Sequence, residues 1–104
     1  MLRAVNEFVS PILGAGEVER VITYMDNLLA KVQEALKAAF DVDPQSVTID
    51  TTPNDIPAWD SMGHIALVSS LERAFGLSFD VDEVMEMENV RQILRIVQSK
   101  LPKP

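Results

Sequence analysis

From Met25 onward, apolar residues recur at helical spacing. Met25, Leu28, Leu29, Val32, Ala35, Leu36, Ala39 and Phe40 form one face over four turns, with Lys31, Glu34 and Lys37 elsewhere on the helix. Thr23 followed by Asp26 is a weak capping-box variant and predicts the helix start. "DVDP" ends the helix, because the residue before Pro44 is pushed out of the α region. Asp43 with Pro44 predicts one short turn through "PQSV". "TIDTTPNDIPAW" follows, with two prolines and no period, and reads as a long loop anchored by Ile49, Ile56 and Trp59.

A second helix is predicted from Ser61 to Phe75. Its buried stripe reads as Met62, Ile65, Val68, Leu71 and Phe75, with Leu67 and Ala74 beside it. Gly76 suits a left-handed C-terminal cap, and Leu77 the apolar contact after it. "SFDVDEVMEM" predicts a connector and a brief helix capped by Asp80 or Asp82, with Met85 filling core. A last helix starts at Asn89 with Gln92 as capping-box partner, turns Ile93, Leu94, Val97 and Leu101 inward, and stops at Pro102.

Upstream, Val5, Phe8, Val9 and Ile12 have helical spacing that Pro11, Gly14 and Gly16 interrupt. Residues 1–24 therefore read as an N-terminal extension, an extra helix or a loose tail, with Met25 a candidate natural start; residues 25–104 form the folded domain. The predicted fold is all-α: a small four-helix bundle with three longer helices, one short third helix, and a long loop between the first and second.

Charge and composition narrow the function. The 104 residues carry a formal charge of −7, which disfavours nucleic acid and suits partners with basic surfaces. There is no cysteine, so disulfides, zinc–thiolate sites and a thiol nucleophile from the chain are excluded. No apolar run approaches the length of a membrane span, and Glu7 interrupts the N-terminal apolar stretch. A cytoplasmic monomer without stable membrane insertion is expected.

The chemistry centres on "WDSMGHIAL". Serine and aspartate are both preferred N-cap residues, so Asp60 and Ser61 need do nothing more than start the helix. A second reading has Asp60 as the cap and leaves the Ser61 hydroxyl free. It would then stand at the positive pole of the helix, where a phosphate ester is stabilised.

At this point "WDSMGHIALVSSLERAFGLSF" resembles the segment around the modified serine of acyl carrier proteins, with its Asp-Ser-Leu core, amphipathic helix and "LE..FG". The resemblance covers roughly residues 25–101 and includes the order of helices. It implies a four-helix bundle of the acyl-carrier type, with 4′-phosphopantetheine attached covalently to Ser61 and acyl groups held as thioesters on its thiol. Asp60 would cap the helix and assist recognition by a phosphopantetheinyl transferase. Met62 takes the family's leucine position as a volume-conserving change expected to pack equally well. Partners would be that transferase and acyl-transferring and acyl-modifying enzymes with basic docking surfaces. The pathway would be fatty acid, specialised lipid or secondary-metabolite biosynthesis. The protein would carry cargo and catalyse nothing.

Departures from the family pattern matter too. The second helix carries one acid, Glu72, whereas Asp41, Asp43, Asp50, Asp55 and Asp60 lie in the loop and Asp80, Asp82, Glu83, Glu86 and Glu88 around the short helix. A shifted docking face follows, and an aminoacyl carrier (D-alanyl or peptidyl) is the alternative within the class. From another class, a helical interaction module with no prosthetic group would use Ser61 only as a cap.

His64, three residues after Ser61, reads as a surface residue beside the attachment point, a candidate contact for the arm or a partner. A Ser–His catalytic pair would also need an orienting acid and an oxyanion hole. "DVDPQSVTID" and "DVDEVMEMENV" lack the glycine and third oxygen ligand of a calcium loop, and no metal site is expected.

Overall fold

The computed structural model describes residues 15–102. Four helices follow in order: α1 Ala15–Phe40, α2 Ser61–Phe75, α3 Val81–Glu86 and α4 Val90–Lys100. Two 3₁₀ turns, Pro44–Ser46 and Pro53–Asp55, lie between α1 and α2. Among the described residues there is no strand, and the all-helical bundle expected from periodicity is what forms.

α1 begins earlier than its capping signals predict. Thr23 is an exposed residue inside the helix, and the chain is already helical at Ala15. Gly16 does not break the helix: a single glycine costs about 1 kcal/mol, and Glu17 sits in the first turn, where the helix dipole favours an acid. Val18, Val21 and Ile22 extend the apolar stripe toward Met25. The spacing of Val5, Phe8, Val9 and Ile12 falls outside the described residues. α1 stops because Asp41 turns left-handed (φ 57°), its N–H donating to Lys37 C=O at 2.8 Å. Aspartate is among the few residues that visit this region routinely.

The core joins Leu28, Val32, Leu36 and Phe40 of α1 to Leu67 and Leu71 of α2 and to Val90, Ile93, Leu94 and Val97 of α4. α1 packs chiefly against α2. Ile56 and Trp59 anchor the loop as expected, and Val47 joins them; Ile49 is half-buried. The loop is more ordered than its lack of period implies. Asp43 accepts the Gln45 N–H (2.9 Å), and Thr52 and Asp55 form a reciprocal capping box. Buried Thr51 accepts the Thr48 N–H on Oγ1 (2.8 Å), while its carbonyl accepts the Val90 N–H (3.1 Å) and ties the loop to α4.

Two burial expectations are corrected. Met62 and Ile65 are not core residues: they are 77% and 64% exposed, while Leu67 and Leu71 are fully buried. Both faces of α2 are apolar at helical spacing, so periodicity alone does not fix which one turns inward. Gly63, whose lack of a side chain lets α2 press against the loop and Phe40, fits the face that turns inward. Met85 is likewise 72% exposed, with Val81 four residues before it at 73%, while Met87 at the end of α3 enters the core.

α3 buries no residue completely and is held by polar ties. Asp80 and Glu83 form its capping box, the Glu72 carboxylate accepts the Phe79 N–H (2.9 Å), and Lys100 pairs with Glu83 (3.0 Å). α4 is capped by Asn89, whose side chain accepts the Gln92 N–H at 2.8 Å.

Candidate functional site

The site is built where the loop becomes α2. Trp59 is buried at the loop end and stacks on Phe40, with ring centroids 5.8 Å apart. Its backbone N–H donates to Ile56 C=O (2.9 Å), closing the last turn of the loop. Asp60 is next, in extended backbone, and it is the N-cap. Its Oδ1 accepts the Gly63 N–H (2.8 Å), and its carbonyl accepts the His64 N–H (2.8 Å).

Ser61 is therefore the first helical residue and not the cap, and it is exposed. Of the two residues suited to capping, Asp60 does the work, which leaves the serine hydroxyl outside the capping bonds. The surrounding first turn holds backbone N–H groups that have no intrahelical acceptor. It is also the positive end of the α2 dipole.

Gly63 lies against the loop. A Cβ there would collide with the Ala58 carbonyl and stand 2.9 Å from Phe40 Cε1. Its importance is absent from the motif-based reading of this segment, although a signal exists. An isolated glycine inside a helical pattern costs about 1 kcal/mol relative to alanine and so points to a packing reason.

His64 departs from its expected surface role. It is half-buried, and both ring nitrogens are engaged: Trp59 Nε1 donates to Nδ1 at 3.0 Å, and Nε2 lies 2.8 Å from the Val84 carbonyl of α3. The indole N–H is only a donor, so Nδ1 is the acceptor and the ring proton sits on Nε2, donating to Val84. The two rings are nearly parallel, 10° apart. Neither nitrogen is left to act as a base toward Ser61, which removes the Ser–His catalytic reading. Among the described residues no cluster of His, Cys, Asp and Glu suits a metal ion.

A helical bundle that presents a serine at a helix tip, beside an ordered loop, has the form of a carrier domain. The family model for the phosphopantetheine attachment site matches residues 30–97, and the chain belongs to that family. Similar proteins include an acyl carrier protein of Treponema denticola, 29% identical over 76 residues, which cover 73% of this chain and 97% of that protein. An acyl carrier protein of Petrotoga mobilis is 28% identical over 76 residues, covering 73% of this chain and 89% of its own length. The prosthetic group of the family is covalent 4′-phosphopantetheine, and its members are carriers, not enzymes.

The residues present fit such a group. Esterification needs an accessible hydroxyl that no structural bond requires, and Asp60 has taken over the capping that would otherwise occupy Ser61. No helix among the described residues is long and apolar enough to cross a membrane.

Proposed function

We propose that Ser61 Oγ is the atom esterified with 4′-phosphopantetheine, and that the chain delivers an acyl group carried as a thioester on that arm. The observation that carries this reading is the division of labour at the start of α2: Asp60 caps, and Ser61 stands exposed in the first turn. The arm supplies the thiol, and because the chain contains no cysteine no other thiol competes for the cargo. The names of the two relatives support an acyl cargo.

Asp60 and Met62 flank the attachment point and form the patch that a phosphopantetheinyl transferase recognises, Met62 by its exposed side chain. The net charge of −7 favours acyl-transferring and acyl-modifying partners whose docking surfaces are basic, in the cytoplasm. The carrier unit is placed at residues 25–104 and works as a monomer, with 1–24 an extension whose residues 15–24 continue α1.

Coexpression with a broad-specificity phosphopantetheinyl transferase, followed by intact-protein mass measurement, tests the assignment. The wild-type chain gains the mass of one phosphopantetheine and Ser61→Ala gains none. An unmodified wild-type chain, or a modified Ser61→Ala chain, overturns it.

A further inference from the structure

We propose that His64 is a positioning residue for the modification of Ser61, an inference that rests on Ser61 being the attachment point. One turn beyond that serine, the imidazole is grasped from both sides by Trp59 and Val84. Both partners lie outside α2. Trp59 ends an irregular loop, and Val84 belongs to a six-residue helix, too short to be stable in isolation. The imidazole thus joins three separate elements next to the reacting hydroxyl.

What the strut positions is visible on the surface. The large exposed apolar side chains among the described residues are Met62 and Ile65 on α2 and Val81 and Met85 on α3. Within each pair the residues are three or four apart and share one side of their helix. The bond from His64 to Val84 crosses between the two helices, so it sets the spacing of the two pairs beside Ser61. A transferase seating Ser61 meets one surface assembled from two helices. Without the strut Glu83 still ties α3 to Lys100, but the direct link from α2 to Val84 is lost, and only a fraction of molecules presents that surface. Apparent affinity falls by that fraction, while the step at Ser61 Oγ in the bound complex is unchanged.

The test is steady-state kinetics of a phosphopantetheinyl transferase, with coenzyme A as donor, on the full unmodified chain. His64→Ala is expected to raise KM for the carrier about 2- to 10-fold, the range for one lost hydrogen bond, with kcat unchanged. Trp59→Phe keeps a stacked ring but lacks the indole N–H, and is expected to raise KM as well. The double variant should go no further than His64→Ala alone, because both act through one unit. His64→Gln, whose amide N–H replaces Nε2–H toward Val84, is expected to recover part of the loss.

An unchanged KM in His64→Ala, an effect confined to kcat, or additive effects of the two changes overturns the inference. Nitrogen-15 NMR of the wild-type ring tests it without any variant: a proton on Nε2 supports the strut, and a proton on Nδ1 overturns it. Should His64→Ala not fold, Trp59→Phe and the ring measurement decide. A wild-type chain that is not modified at Ser61 defeats the attachment reading itself, whereas normal modification of both wild type and His64→Ala defeats only the strut.

Discussion

Gly63 and Ala58 meet backbone to backbone, and no side chain at position 63 fits between them. Ordinarily a helix gains about 1 kcal/mol when an interior glycine becomes alanine. Here the new methyl would strike a carbonyl, which cannot swing aside as a side-chain tip can, and would crowd Phe40. Gly63→Ala is therefore expected to destabilise the domain by about 1–3 kcal/mol, the usual cost of overpacking. Urea unfolding followed by helical circular dichroism measures it; a variant as stable as wild type would show that the loop and α2 are not pressed together.

The cap and the proposed attachment point are adjacent residues with separable jobs. Asp60→Ala removes the side chain that accepts the Gly63 N–H and is expected to cost about 0.5–2 kcal/mol. Ser61→Ala, an exposed change outside the cap, is expected to stay within about 0.5 kcal/mol of wild type. The reverse ranking in the same unfolding experiment would mean that the serine holds the helix start.

Legibility of the fold in the amino-acid pattern varies along the chain. α4 is legible because an Asn cap, one apolar face and a terminal proline all agree. Gly76 at φ 64° likewise stands where its sequence neighbours put it. The start of α1 is misleading in sequence because Gly16 looks like a breaker, although the chain is helical through it and the stripe continues through Val18 and Ile22. The serine proposed for attachment is visible from its neighbours, but the strut role proposed for His64 is not. That role depends on Val84, twenty residues away, and on a buried indole N–H in need of an acceptor, which a linear pattern does not display.

The inward face of α2 offers a direct comparison. Leu67 is fully buried and Ile65 is 64% exposed, although both are large and apolar. Leu67→Ala is expected to cost about 2–5 kcal/mol through lost burial and the cavity left behind. Ile65→Ser is expected to change stability by no more than about 0.5 kcal/mol. Midpoints of urea unfolding for the two variants check this; equal losses would place the helix in a rotated register.

At alkaline pH one tie that weakens is that of Tyr24, whose hydroxyl donates to the Pro102 carbonyl at 3.3 Å and links α1 to the segment after α4. Desolvation raises the pKa of this phenol above its ordinary value of 10.0. Between the unfolded and folded pKa values the folded chain keeps a proton that the unfolded chain has lost. The associated stability is thus complete below pH 10 and is lost as pH rises through the folded pKa. The phenolate has no proton to donate, so the bond to Pro102 fails in the same window. In Tyr24→Phe the decline in stability above pH 10 is expected to be shallower than in wild type, measured by thermal unfolding across that range. Parallel declines in the two proteins would place the alkaline sensitivity elsewhere.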